Sequence, residues 1–168
     1  MSQAANQVKW CVNHAKKQLT EGRKHRGLVE VKPSMDTAKG HLVKAEHDFK
    51  SVLFMTKGGY SDWAVNAAFY SMYQCMLAII AKFGYESENQ TCTVALVELL
   101  KEEGKIDIDD GFIKMLKPGS EEEQGFSVID MREEYTYGFK IAVSETDIKK
   151  LTESCKRLID KTKSIVYK

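Results

Sequence analysis

Residues Ser34–Phe83 read SMDTAKGHLVKAEHDFKSVLFMTKGGYSDWAVNAAFYSMYQCMLAIIAKF, and this stretch decides the fold. Ala38, Leu42, Ala45, Phe49 and Val52 recur at spacings of four, three, four and three, which is one apolar stripe of a helix. Ser34 is placed to cap it. Lys44, Glu46, His47 and Lys50 fall on the opposite side. Gly58-Gly59 ends the helix, and Ser61 is expected to cap the next one, from Asp62 to about Phe83. That helix carries two apolar stripes. Ala64, Ala68, Ser71, Cys75 and Ala78 are small; Phe69, Met72, Met76, Ile79 and Phe83 are large. A helix apolar on two sides is central in its domain. The small stripe lets a neighbouring backbone come close, so the spacing predicts a tight antiparallel helical hairpin.

Outward from the hairpin the helical patterning continues. Ala4, Val8, Cys11, Ala15 and Leu19 form one stripe of a helix over residues 3–21, ended by Gly22. A connector follows, with a short extended piece at LVEV. A fourth helix is expected over 89–103, with Thr93, Leu96, Val97 and Leu100 facing inward and Gly104 at its end. A short helix follows over 109–116. Pro118-Gly119 and SEEEQG read as a loop, with Glu121, Glu122 and Glu123 a solvated charge run. Helix resumes near Phe126 and runs to Tyr135 or Tyr137; FKIAV reads as extended. Ser144, with Asp147 three residues on, resembles a capping box. From there Ile148, Leu151, Cys155, Leu158, Thr162 and Ile165 carry a last helix to the chain end. The expected fold is all-α with little or no sheet. It is an up-and-down bundle of four to five main helices in one domain, built as an N-terminal helix (1–21), a connector (22–33) and a core bundle (34–168).

Composition narrows the function classes. The chain has 168 residues, 19.1 kDa and a formal net charge of +1, so the whole molecule lacks the basic excess of a sequence-blind nucleic-acid binder. Arg23-Lys24-His25-Arg26 is the one dense basic cluster. It reads as a solvated linker, against a phosphate or membrane contact. Cys11, Cys75, Cys92 and Cys155 are scattered, and three of them fall on apolar stripes, so they read as small core residues in a reducing cytoplasm. No signal-peptide pattern opens the chain, and the longest near-apolar run, Met76–Ala81, is too short to span a bilayer. Neither membrane contact nor a cofactor is expected. His14, His25, His41 and His47 make no metal-binding set, and no phosphate loop or nucleophile elbow occurs. Trp63, Phe69, Tyr70 and Tyr73 sit at helical spacing and read as core or interface packing before base stacking.

One stretch, Met131–Gly138 (MREEYTYG), gathers an arginine, two glutamates and two tyrosines before the final helix. On a helix Arg132 lies one turn from Tyr135. The structural reading is a salt bridge or stacking contact. The functional reading is a phosphate held by the Arg132 guanidinium with a tyrosine hydroxyl beside it.

Several segments together resemble the HEPN family, small helical domains named for higher eukaryotes and prokaryotes nucleotide-binding. They are VKWCVNHAKKQL (8–19), LVKAEHDF (42–49), GGYSDWA (58–64), AAFYSMYQCMLA (67–78) and the arginine-bearing 131–138 segment. The order and spacing carry the likeness, which extends from Val8 to about Val166 and looks most like archaeal and bacterial single-domain members. It implies a helical bundle that forms a homodimer. In many cases such a protein is paired with a minimal nucleotidyltransferase, as toxin and antitoxin. Active ribonucleases of the family carry an arginine followed four to six residues later by histidine. Here Arg132 matches the arginine, while positions 136–139 are Thr, Tyr, Gly and Phe, and no histidine follows His47. Metal-independent RNA cleavage needs a proton acceptor and a proton donor near neutral pH. Histidine, near about 6.5, suits this; tyrosine, near about 10, does not. The expectation is therefore a non-catalytic dimer that binds a nucleotide, RNA or a protein partner. Its candidate contacts are Arg132, Glu133, Tyr135, Tyr137 and Asn66. The alternative is a ribonuclease with a degenerate site built on Arg132 with Glu133, Tyr135 or Tyr137.

Overall fold

The structure, a computed structural model, describes residues 1–119 and 126–168. In chain order its elements are α1 (Gln3–Thr20), β1 (Leu28–Glu30), α2 (Met35–Lys57), α3 (Ser61–Lys82), β2 (Tyr85–Ser87), α4 (Gln90–Glu102), α5 (Asp110–Met115), α6 (Val128–Tyr137) and α7 (Glu145–Val166). The glutamate run at 121–123 lies outside the described residues.

The α2–α3 hairpin forms as its spacing requires. The Ser34 hydroxyl accepts from the Thr37 N–H and starts α2. Gly59, at φ +84°, turns the chain, a backbone conformation that side-chain-bearing residues rarely adopt. Ala38, Leu42, Ala45 and Val52 are buried, whereas Phe49 is only half-buried and Asp48 takes the inner position beside it. Across the hairpin Ser71 donates its hydroxyl to the Ala45 carbonyl at 2.8 Å, and His41 Nδ1 meets Gln74 Oε1 at 2.7 Å. Both contacts fix an antiparallel register. Both stripes of α3 are inside: the small one meets α2 and α7, and Phe69, Met72, Met76 and Ile79 fill the core.

α7 closes the bundle on α2 and α3. The Ser144 hydroxyl accepts from the Asp147 N–H, as expected of a cap. Leu151, Cys155, Leu158 and Thr162 are fully buried, and the Cys155 thiol lies 3.6 Å from the Ala68 carbonyl. Farther along, Lys163 pairs with Glu46, and Lys82 Nζ donates to the Ile165 carbonyl at 2.5 Å. By length and composition α3 would cross a bilayer, with a mean hydropathy of 1.4 over its most apolar window, although the sequence reading found only a short apolar run. Two-thirds of that window is buried in the bundle, which accounts for its apolarity as that of a core helix.

Four expectations are corrected. Ser61 does not cap α3: Tyr60 holds that position without a side-chain bond, and the Ser61 hydroxyl instead accepts from the Val143 N–H at 2.9 Å. Leu19 is half exposed. Gln18 is buried in its place because its Oε1 accepts from the Arg26 N–H, at 2.6 Å, as the chain turns back. FKIAV is irregular, tied down by that Val143 contact and not paired as a strand. Finally, Cys11 and Cys92 are joined in a disulfide between α1 and α4, so these two are not free core thiols; Cys75 and Cys155 are free and buried. The LVEV piece is extended as read, and it pairs antiparallel with β2, a strand the sequence reading did not anticipate.

Packing this close leaves no room on the small stripe. Replacing Ala68 by leucine should lower stability by about 1–3 kcal/mol, since added methylenes in a filled core force strain. Urea unfolding of the variant against the parent chain measures it, and an unchanged midpoint would contradict the close approach of α3 and α7.

Candidate functional site

Arg132 projects from α6 onto α3. The Ser127 hydroxyl accepts from the Asp130 N–H and starts the helix; Val128 and Ile129 anchor its first turn in the core. Three residues beyond Ile129, Arg132 returns to the same side. There its guanidinium lies 4.6 Å from the Phe69 ring centroid and 5.6 Å from that of Tyr70. A guanidinium over aromatic faces is held by ring electrostatics without losing its charge. Its Nε is buried with no hydrogen-bond partner, and among the described residues no carboxylate pairs with it. Its acidic neighbours in sequence are turned elsewhere: Glu133 is exposed on another face, Glu134 pairs with Lys140, and Asp130 accepts from the Gly119 N–H at 2.9 Å.

The candidate residues divide by helix geometry. Asn66 comes to α6, its Oδ1 accepting from the Thr136 hydroxyl at 3.0 Å. Tyr135 is half-buried and packs against the core. Glu133 and Tyr137 are exposed, Tyr137 at 80%. At 100° per residue these two lie within about 40° of each other and on a different face from Arg132 and Tyr135. One chain therefore brings together Arg132, Asn66 and Tyr70. It does not gather Glu133 and Tyr137 onto the arginine. The sequence points to packing for Tyr70 before base stacking; it is 45% exposed and forms one side of the arginine's seat. No pairwise sequence signal links position 70 to 132, because the contact is set by the crossing of α3 and α6.

Several large apolar side chains on the flanking segments are exposed. Tyr60 and Trp63 open α3, each 59% exposed, and Phe139 and Ile141 stand in the segment after α6. Of the aromatic set on α3, Phe69 is core and Tyr73 is half-buried, its hydroxyl 3.2 Å from that of Thr93. Burial pushes the Tyr73 phenol up from its ordinary value, partly opposed by hydrogen bonds from Thr93 and Ser87. Tyr73 is therefore a neutral structural group.

Other reactive chemistry is poorly placed. Burial pushes the Cys75 thiol up to about 12 and raises that of Cys155 as well, so neither supplies a thiolate nucleophile at neutral pH. Among the described residues no group of three His, Cys, Asp or Glu side chains could hold a metal ion. The basic cluster near Gly22 is partly neutralised, Arg23 by Glu21 and Lys24 by Glu88.

A comparison with curated proteins finds no match to the chain. A comparison with family models matches the HEPN domain over residues 38–165, which takes in α2 through nearly all of α7 and leaves α1 and β1 outside. With three-quarters of its length in that match, and with the α2–α3 hairpin, the α6 arginine and the closing α7 in place, the chain belongs to the HEPN family.

Proposed function

We propose that this HEPN protein is a non-catalytic binding module that takes a phosphate-bearing ligand, a nucleotide or RNA, at Arg132. The observation that carries this reading is the unneutralised guanidinium. It is stacked over Phe69 and Tyr70 without a carboxylate partner among the described residues, and with its Nε unpaired. A structural arginine normally finds an acidic partner. One held by rings alone keeps its remaining N–H groups for an anion with several acceptor oxygens. Asn66 and the exposed Tyr70 ring stand beside it to meet the rest of the ligand. Cleavage is not part of the proposal. α6 carries no histidine to exchange protons with an RNA substrate, and Glu133 and Tyr137 face away from the arginine. The second reading, a protein-binding role as a homodimer or with a nucleotidyltransferase partner, draws on the exposed Tyr60, Trp63, Phe139 and Ile141.

Titration calorimetry with ATP and with short single-stranded RNA tests the ligand. Binding is expected, and Arg132→Ala should weaken it by about tenfold or more, the worth of one charge-assisted hydrogen bond. No heat with any nucleotide or RNA, or an unchanged affinity in the variant, would sink the reading. Labelled RNA incubated with the protein should stay intact; cleavage that disappears in Arg132→Ala would restore the ribonuclease alternative. Light scattering at micromolar concentration should give twice the 19.1 kDa chain mass, and the monomer mass would remove the homodimer.

A further inference from the structure

We propose that the Cys11–Cys92 disulfide is a redox-operated latch: it holds α1 on α4, and its reduction by a dithiol releases α1 and uncovers the apolar face of α4. The argument starts from how little else holds this helix. α1 buries Ala4, Val8, Cys11, Ala15 and Gln18, mostly short side chains, whereas α3 buries a full core set. Its main neighbours are α4 and β1. Apolar attachment scales with area removed from water, so a helix anchored through alanine, valine and cysteine is weakly held by packing alone. α1 also lies before the family-matched residues 38–165, and it adds only Val8, Cys11 and the edge of Val12 to the main core.

The bond sits where α1 passes the N-terminal turn of α4. Ser2 donates its hydroxyl to Glu102 at 2.5 Å at one end, and Cys11 meets Cys92 nine residues further along α1, so the two helices run antiparallel. Val8 and Leu99 line one groove between them. On the other side Gln3, Ala4 and Gln7 wall a cavity of about 470 Å³ with Val94, Ala95, the Leu116–Pro118 turn and Ile129 of α6. Departure of α1 removes a wall of both. The cavity also reaches the helix that carries Arg132.

Both cysteines are completely buried, so a reductant reaches the bond through local opening at the N-terminal turn of α4, and full release of α1 follows its reduction. The Gln7 amide, 3.7 Å from Cys11 Sγ, is the polar group against the sulfur. A thiolate of the dithiol attacks one of the two sulfurs. The Sγ–Sγ bond breaks as a mixed disulfide forms, and the departing cysteine leaves as a thiolate that takes a proton from water. The reductant's second thiol, losing its proton, closes on its own sulfur and expels the other cysteine. Two electrons and two protons pass to Cys11 and Cys92, and the dithiol becomes a disulfide. Cys75 and Cys155, buried and protonated, take no part in the exchange.

Hydrogen exchange read by mass spectrometry on the whole chain, before and after dithiothreitol, tests the latch. Reduction should speed exchange in α1 at least tenfold and leave α2, α3 and α7 unchanged, and reoxidation should restore α1. Cys11→Ser and Cys92→Ser should each show the fast α1 exchange without reductant and no further response to it. If either variant fails to fold, the reduced parent chain still gives the decisive comparison. Four reactive thiols in the oxidised, unfolded chain would overturn the proposal. So would a bond that dithiothreitol cannot open without denaturant, unchanged α1 exchange after full reduction, or a loss of protection spread equally over all helices.

Discussion

The hydroxyl of Ser71 reaches the backbone carbonyl of Ala45 at 2.8 Å, and most of the architecture follows from the closeness that this contact demands. Two helices can share a side chain-to-backbone bond only when the residues between them are small, and Ala45, Ala64, Ala68 and Cys75 are all completely buried. The same slimness on the adjoining side admits α7, so that the Cys155 thiol comes to the Ala68 carbonyl. The large side chains of α3 are then free to fill the space beneath α4, α5 and α6. Phe69 is the hinge between these roles. It is core by burial, yet its ring face is what Arg132 lies on. The seat of the arginine is therefore a product of core packing and not an addition to it.

How much of this was legible in the sequence depends on the range of each interaction. The helices were legible because their stripes repeat every three or four residues and two of their caps, Ser34 and Ser144, act within one turn. The hairpin register followed from the glycine turn. Contacts between distant segments were not legible. Nothing near Cys11 names Cys92 as its partner across 81 residues, and its place on an apolar stripe suits a core thiol equally well. Strand β2 escaped notice because YES has no alternation to display, and its pairing depends on β1 arriving from the other side of α2 and α3. Asp48 was invisible for a different reason. Its burial beside Phe49 is made tolerable by Lys44 one turn earlier, an ion pair that reads from the sequence as ordinary helix surface.

The candidate site shows the same division. Arg132 stood out because of its family position and its company of tyrosines. Its actual neighbours are Phe69 and Tyr70, supplied by a helix some sixty residues earlier that also brings Asn66 to Thr136, one turn along α6. Of the tyrosines beside it in sequence, Tyr135 packs inward on the arginine's own face and Tyr137 points outward on another. Tight sequence clustering on a ten-residue helix spreads side chains around a cylinder, so the chemically relevant group is assembled across helices instead.

The disulfide also has a consequence for the order in which the chain takes shape. α1 is synthesised before the bundle, yet its covalent partner is made 81 residues later, after the whole α2–α3 hairpin. Contacts of such wide separation form late, because the intervening loop must first be closed. The hairpin, whose contacts are local, can be complete before α4 exists. α1 thus waits as an undocked amphipathic segment while the hairpin that follows it is already in place.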